Sequence, residues 1–553
     1  MAKRKKETKP AADVHDQAYS GGSGSTRVLQ AATYDPATVT PEMLSTLINS
    51  DVKKPSWKTN KYPVDIEEFR RLQKAAERSD NDTKTALKVA DTASGDADEE
   101  IAGEGFEMAE DGTATAAGPA PLAPPVTSGF EAIPATGWVP PDCVCAAGPS
   151  HVIVAVNAEF RIYSKTGSML RRTVASSFFS PVLPAGASVK VFDPRILWDH
   201  YNGRYLMIFA ATQTSPARSW CCVAVTKTAD PMGAWWLYAL DSAVDGSNPT
   251  SNWQDYPMLG MDPNAVYISG NQFKVGGGFQ YAKIRILNKS ELYAGAPVRW
   301  YDFWNLKNPN GSVAFTVQPC VHYRGIGAGD AYFVNAIWPS AGNLTVWTLS
   351  DPLRYWRDGG APTLSKVSVP CRSYDLPPQA KQKGSATTIN TNDSRILSAI
   401  YQNAGGVLRI WAAHTSKISW SGDSEARSAV QWYEIDVPTK RVIQQNGFGQ
   451  SGAYYFYPAI QTDINRNAFV VFGRSSAAEF AHLRITGRRV TAPLNDLEGS
   501  ALLKIGESAH TSGRWGDYFG IGRDGADASK IWAVGEYAES SGFWGTFVVS
   551  TKY

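Results

Sequence analysis

From residue 128 onward, short apolar runs alternate with polar turns that contain Gly, Asn and Asp-Pro. The clearest unit, FDPRILWDHYNGRYLMIFAAT at 192–212, predicts a strand, a polar hairpin turn and a second, more apolar strand. The same pattern returns at 253–273, 384–403, 457–473 and 515–537, with weaker copies at 140–167 and 315–338. A β-rich unit that recurs in this way predicts a repeat architecture rather than a set of unrelated domains.

Acidic residues in the hairpin turns give the length of the repeat, which is about 65 residues. A repeat of that length fits a four-stranded blade with long loops. We therefore predict an all-β fold for 128–553, a closed β-propeller of seven four-stranded blades, with six as the alternative count. The last unit has only three obvious strands, so residues 129–136 are expected to supply the fourth strand and close the ring. The turn acids are Asp199, Asp262, Asp393, Asp463 and Asp524, with Asp330 in a weaker copy.

Residues 1–127 have a different composition, rich in Ala, Thr, Asp, Glu and Lys, with the proline-rich stretch AGPAPLAPP at 117–125. Such a composition is typical of a largely disordered tail and linker. Short helices are predicted within it at 41–49 and at 64–78. The second helix places Ile66, Phe69 and Leu72 near one face, which suits either a transient helix or a helix that docks on a protein partner.

Charge and composition exclude several classes of protein. The formal net charge of +2 provides no general attraction for nucleic acid, and no run of 18 apolar residues could span a membrane. No apolar segment follows the basic start MAKRKKETKP, so we expect a protein that is cytoplasmic or exported by a non-classical route. The six cysteines lack the spacing of a zinc site and are expected to be buried free thiols.

The segments that precede the innermost strands should converge on one face of a propeller, around the mouth of the central channel. Ligands commonly bind at such concave surfaces. We therefore take the first residues of the seven units as the candidate ligand-binding residues. They are Asp142, Asp193 with Arg195, Asp255, Gln318, the segment 383–385, Tyr457, and Arg514 with Asp517.

Three roles are open for the carboxylates among these residues. Each Asp could cap its own loop by accepting backbone N–H groups. Alternatively, Asp142, Asp193, Asp255 and Asp517 could share a calcium ion, because like charges that converge on an axis need compensation. In the third role, Arg195 and Arg514 bind an anionic group while Asp193, Asp255 or Asp517 transfers protons.

Other residues suggest chemistry less directly. The turn acids are expected to be structural, since Asp in a short hairpin stabilises the turn itself. Trp253 and Trp515 suit either packing between blades or stacking against a sugar. His322 near Cys320 has no further ligands nearby and is not interpreted as a metal site.

The Asp-Pro-x-Gly-x-Trp sequence at 230–235 resembles a degenerate Asp-box, the structural turn of sialidase-like propellers. Together with PPD, Gly148-Pro149, HVIVAVN, FDPR and RWGDY, it makes residues 128–553 similar to a group of bacterial sialidase-like β-propeller proteins. The resemblance implies an arginine triad, a tyrosine paired with a glutamate, and an acid/base aspartate. It offers Arg195, Arg514, Asp517 and Tyr457 as catalytic candidates, with Tyr518 as a second tyrosine and Glu434 or Glu536 as the glutamate.

The sequence therefore favours a ligand-binding propeller that recognises a glycan or another small polar ligand at the channel mouth. Two other functions remain open. One is an exo-glycoside hydrolase of sialidase type. The other is a scaffold or delivered cargo protein whose N-terminal tail is its address and binds a protein partner.

Overall fold

Strands dominate the structure, a computed structural model that describes residues 16–36, 61–77, 109–110, 123–185, 188–327 and 329–553. Within these ranges, strand pairing gives seven antiparallel groups of four strands, which we number blades 1 to 7 in chain order of their innermost strands. The innermost strands of successive blades contact one another, and those of blades 7 and 1 also meet. The ring is closed, and the chain forms an all-β propeller as its sequence predicts.

In blades 1 to 6 the strands run from the channel to the rim in chain order, and each strand is joined to the next by a hairpin or a loop. Blade 1 contains Val144–Ala147, His151–Val156, Glu159–Ser164 and Met169–Val174; blade 2 contains Val189–Asp199, Arg204–Gln213, Arg218–Thr226 and Trp235–Asp241; blade 3 contains Asn252–Met261, Ala265–Lys274, Phe279–Asn288 and Trp300–Phe303. Blade 4 contains Gln318–Pro319, Ala331–Ala336, Ala341–Ser350 and Thr363–Tyr374, and the strand Val321–Tyr323 pairs in parallel with the innermost strands of blades 3 and 5. Blade 5 contains Ser398–Ala404, Val407–Ile418, Arg427–Asp436 and Arg441–Gly449; blade 6 contains Ala453–Thr462, Ala468–Ser476, Glu479–Arg488 and Ala501–Lys504.

Blade 7 joins the two ends of the propeller. Its inner three strands are Gly520–Arg523, Ile531–Ala538 and Trp544–Thr551, and its outer strand is Val126–Pro134, which pairs antiparallel with Trp544–Thr551. Ile133 of that outer strand is fully buried. The closing strand therefore lies where the sequence placed it, beginning three residues earlier than expected.

Removal of the closing strand should expose the edge of Trp544–Thr551. We expect a chain that begins at residue 138 to self-associate, since unpaired strand edges template pairing with other chains. A chain that begins at residue 123 keeps the strand and serves as the control. Size-exclusion chromatography with light scattering distinguishes the two, and equal monomer content in both would contradict this role.

The turn at 230–235 has the features expected of a degenerate Asp-box, an Asp that stabilises the turn and a buried Trp. Asp230 accepts the backbone N–H of Met232 at 2.9 Å, and the Trp235 indole donates to the Pro231 carbonyl at 3.0 Å. Trp235 is 1% exposed and lies in the core between blades 1 and 2. The motif has a structural role here.

Four of the turn acids behave as the sequence predicts. Each is buried and accepts backbone N–H groups of its own hairpin turn. Asp393 does not belong with them: Ser385–Ile389 pairs with Ala380–Gln382 in a separate hairpin, and Asp393 lies before the inner strand of blade 5. The assignment of a unit start to 383–385 was wrong, because the short β-rich run before Asp393 imitates a blade strand. The four acids are Asp199, Asp262, Asp463 and Asp524.

Parts of the N-terminal region add strands to the outer edges of blades. Gln17–Tyr19 pairs with blade 4, Ser23–Gly24 with blade 3 and Ala32–Tyr34 with blade 2, so residues 16–36 form a belt along three rims. Ala109–Glu110 pairs with blade 5. The predicted helix at 64–78 is present as Ile66–Ala76, whereas the one at 41–49 and most of the tail expected to be disordered lie outside the described residues.

The cysteines form no disulfide bonds among the described residues. All six cysteines are free; five are buried and Cys371 is partly buried, as expected.

No helix in the described ranges is long and apolar enough to cross a membrane. The short elements are the helices Ala175–Phe178, Lys289–Ala294 and Arg354–Asp358 and the paired strands Val244–Asp245 and Asn248–Pro249.

Candidate ligand site at the channel mouth

The chain enters the inner strands through residues in the left-handed backbone region. Positive φ is disfavoured for residues with a Cβ and costs about 1 kcal/mol or more at each position. Three of these residues precede proline and adjoin a β-bulge of the inner strand. The shared geometry shows that the unit starts turn the chain into the channel in the same way. The residues and their φ angles are Asp142 (54°), Asp193 (51°), Tyr256 (53°), Thr316 (52°), Asn392 (63°) and Tyr457 (54°).

Two of the mouth carboxylates connect neighbouring blades. Asp142 accepts the backbone N–H of Asp517 at 2.8 Å, and Asp193 accepts that of Tyr256 at 3.3 Å. Asn157 completes this network, since its amide donates to Asp142 at 2.6 Å and accepts the N–H of Asp193 at 2.7 Å. These carboxylates thus cap the entry of an adjacent blade.

The hypothesis of a shared calcium ion finds no matching cluster. Among the residues that the structure describes, no group of three or more His, Cys, Asp or Glu side chains is arranged to hold a metal ion. Asp255 also differs from its expected position, because the residue equivalent to Asp193 is Tyr256, one position later. A shift of one residue in a strand moves a side chain to the opposite face.

Several of the predicted ligand residues lie below the mouth. Arg195 is 9% exposed, and its guanidinium stacks 3.3 Å from the centre of the Tyr518 ring. Gln318 and Asp255 are also buried. In this structure the Arg195 guanidinium packs on Tyr518, and it would have to leave that ring to bind a ligand at the mouth.

Two further sequence hypotheses are corrected by burial and position. Trp253 and Trp515 are 2% and 1% exposed, so both pack in the core, and Trp515 also lies in the wall of the cleft described below. Glu434 lies on the third strand of blade 5, where it contacts Arg409 and Gln444. It is therefore not brought to the mouth with either tyrosine.

Residues 61–77, which we call the mouth segment, cover this face. The Lys61 ammonium forms a salt bridge with the Asp517 carboxylate, and the Lys61 carbonyl accepts from Arg395 at 3.3 Å. Tyr62 follows and is 4% exposed. The segment thus places a cation and an aromatic ring on the residues that start blades 5 and 7.

The helix of the mouth segment is held by polar and apolar contacts. Asp65 caps it by accepting the N–H of Glu68 at 2.8 Å. Phe69 stacks on Tyr62 with ring centres 3.4 Å apart, and Gln73 donates to the carbonyl of Asn392 at 3.4 Å. Phe69 and Gln73 are both 2% exposed, whereas Ile66, expected on the same face as Phe69, is 43% exposed.

A cleft of about 490 Å³ opens beside the mouth segment. Its walls combine charged and amide side chains with hydroxyl groups, and it contains two of the predicted ligand residues, Arg514 and Asp517. The Arg514 side chain is 34% exposed, and its Nη2 lies 3.7 Å from the Asp517 carboxylate. Other residues of the lining include Lys61, Arg70, Gln73, Gln379, Thr388, Asn390 and Ser512.

Tyr457 and Glu536 lie together beneath this cleft. Tyr457 is 1% exposed and donates to the carbonyl of Asn390 at 2.7 Å. Burial raises its pKa well above the usual range, with contributions from the charges of Asp517 and Glu536. Burial likewise raises the pKa of Glu536 well above the usual range of a carboxyl, aided by the charges of Asp142 and Asp517.

The sequence did not reveal the residues that cover the mouth. Lys61 and Tyr62 lie in the region interpreted as tail, and Arg395 lies after a misassigned unit start. The signal available was the amphipathic helix at 64–78 next to Lys-Tyr-Pro, which indicates a docking segment but not its target. Asp517 and Arg514 are the predicted site residues that line this cleft, and Tyr457 donates to the carbonyl of Asn390 in its wall.

Neither a protein-family model nor a curated protein matches this chain. Several solved structures are similar. A protein of unknown function from Dyadobacter fermentans is 10% identical, with 67% of this chain and 97% of that one covered and a TM-score of 0.34. An α-L-arabinofuranosidase from Fusarium graminearum is 8% identical, with coverages of 77% and 98% and a TM-score of 0.33.

A mutant Trypanosoma rangeli sialidase that displays trans-sialidase activity is 11% identical, with 71% of this chain and 57% of that one covered and a TM-score of 0.32. Identities and TM-scores this low are not evidence of a shared activity. The propeller fold is established by the strand pairing itself.

Proposed function

We propose that this protein is a ligand-binding β-propeller that recognises a glycan in the mouth cleft. The observation that carries the proposal is the composition of the cleft wall, in which charged, amide and hydroxyl groups share a volume of about 490 Å³. Hydroxyl-rich ligands need convergent donors and acceptors of this kind. The partly exposed Arg514 supplies several donors from one side chain.

Arg514→Ala should weaken glycan binding about tenfold or more, because hydrogen bonds from a charged group contribute about 1.5–3 kcal/mol. The test is a glycan array with the full chain, followed by calorimetry with the best ligand. Arg441→Ala removes an exposed arginine from the rim of blade 5 and should bind as the wild type does. The absence of any glycan ligand, or equal binding by the Arg514 variant, would reject the proposal.

The exo-glycoside hydrolase is a second candidate, favoured by one observation. Glu536 is a buried carboxyl with a raised pKa beside Tyr457 and Asp517, and general acids of glycosidases are tuned in this way. Chromogenic sialosides and other glycosides test it. Turnover that is lost in Glu536→Gln and kept in Arg441→Ala would support hydrolysis, whereas no turnover by the wild type would reject it.

A further inference from the structure

The central channel of the propeller contains a cavity of about 80 Å³, which we call the channel cavity. All seven blades contribute to its wall through their innermost strands. A single water molecule needs about 10–15 Å³ of such space, so the cavity has room for a small ion together with water. The polar side chains of the wall include Arg195, Gln318, Tyr323, Gln461 and Arg523.

The charges in this wall are all positive. Its charged residues are Arg195 of blade 2 and Arg523 of blade 7, and none of the described residues that line it is an Asp or a Glu. In a medium of low polarity, two guanidinium groups without an adjacent carboxylate make the electrostatic potential of the cavity positive. The channel cavity is therefore suited to an anion rather than to a cation.

Arg195 has a hydrogen-bond donor that the protein leaves open. The residue is 9% exposed, and its Nε donates to the carbonyl of Pro257 at 3.2 Å. Its Nη2 has no hydrogen-bond partner in the described part of the chain, and Arg195 forms no ion pair there. A buried charge is costly unless it is paired, so this guanidinium needs both an acceptor and a negative charge.

Arg523 also lacks a carboxylate in contact among the residues that the structure describes. Its guanidinium donates to the backbone carbonyls of Thr462 and Asp463 at 2.6 and 3.0 Å and lies 3.8 Å from the centre of the Tyr323 ring. Burial lowers the pKa of Arg523, and the charge of Asp463 offsets that effect only in part. A second guanidinium of the channel thus has its charge incompletely balanced.

We propose that the channel cavity binds a small inorganic anion such as chloride, which accepts from Nη2 of Arg195 while Arg523 adds to the positive potential. An anion supplies the acceptor and the negative charge together, whereas water supplies only the acceptor. Gln318 is 6% exposed, and its side-chain oxygen also lacks a partner among the described residues. That oxygen needs a donor, so water shares the cavity with the anion. The site is independent of glycan binding at the mouth.

An anion in the channel should stabilise the closed ring by mass action, because the wall of the cavity exists only in the folded protein. We expect the urea midpoint of the full chain to rise with chloride concentration. At about a hundred times the Kd of chloride, the ratio of folded to unfolded protein should increase about a hundredfold. Tryptophan fluorescence measures the midpoint. Ionic strength is held constant with gluconate, which is too large for the cavity.

Arg195→Met removes the charge and keeps an unbranched side chain against Tyr518, so it should abolish the chloride response. Arg523→Met should weaken the response. The matched control is Arg441→Met, which removes the same charge from the exposed rim of blade 5 and should respond as the wild type does. A wild type that does not respond to chloride, or an Arg195→Met variant that responds equally, would reject the site.

Bromide locates the ion in the wild type, whether or not the variants fold. Bromide resembles chloride and scatters X-rays anomalously, so crystals grown in sodium bromide should show a peak inside the channel in contact with Nη2 of Arg195. Peaks on the outer surface alone would mean an adventitious ion only. That result, or the absence of any peak, would overturn the proposal.

Discussion

Arg285→Ala is expected to lower the free energy of unfolding by about 3–5 kcal/mol, because it leaves a buried carboxylate without its cation. Arg285 and Asp302 form two parallel hydrogen bonds of 2.7 Å in blade 3, and their side chains are 5% and 0% exposed. Chemical denaturation monitored by tryptophan fluorescence measures the loss. In that variant Asp302 would keep the hydrogen bond from the backbone N–H of Gly246, at 2.8 Å.

An exposed pair with the same geometry provides the control. Arg357 forms two hydrogen bonds with Asp351, at 2.8 and 2.6 Å, but their side chains are 59% and 43% exposed. Water replaces such a pair readily, so Arg357→Ala should unfold as the wild type does. Similar losses for both variants would show that burial of the pair in blade 3 does not determine its importance.

The second large effect is a loss of folding stability at acidic pH. His322 and His414 are fully buried, and burial lowers the pKa of His322 to about 3 and that of His414 to about 4. The unfolded chain binds these protons below about pH 6.5, whereas the folded protein does not. Stability is therefore complete above pH 6.5 and decreases as the pH falls toward 4. Each histidine should cost about 2 kcal/mol at pH 5.

The measurement is the slope of unfolding free energy against pH between 7 and about 4.5, a window above the titration of most carboxylates. His414→Gln should reduce that slope, although it also destabilises at pH 7. Ile410→Val truncates a buried residue of the same strand without a titrating group, so it should lower stability and keep the slope. An unchanged slope in His414→Gln would contradict the assignment.

The propeller could be predicted because its information is local and repeated. A strand, a polar turn with a buried Asp and a second strand recur at a regular spacing, and each copy supports the others. The prediction failed where one local pattern fits either a blade strand or a separate hairpin. Residues 384–389 are as β-rich as a blade strand, and only the pairing of Ser385–Ile389 with Ala380–Gln382 removes them from blade 5.

The sequence indicated which segments lie at the mouth, but not which of their side chains are buried or which residues cover them. The unit starts drew attention to Asp517, Arg514 and Tyr457, which lie near one another because propeller geometry brings equivalent segments to one face. Burial of Arg195 by Tyr518 and coverage by Lys61 and Tyr62 depend on contacts between segments more than a hundred residues apart. Nothing in the spacing of residues along the chain determines such contacts.

The pairing of Val126–Pro134 with Trp544–Thr551 has a consequence for biosynthesis. The closing strand leaves the ribosome early, yet its partner is made more than four hundred residues later. The rims that receive Gln17–Tyr19 and Ala32–Tyr34 are also translated long after those strands. Blades 1 to 6 can form as they emerge, but the ring closes only after Trp544–Thr551 has been made. The nascent chain therefore carries open strand edges until its last blade is made, and we expect it to depend on chaperones for longer than a protein of sequential domains.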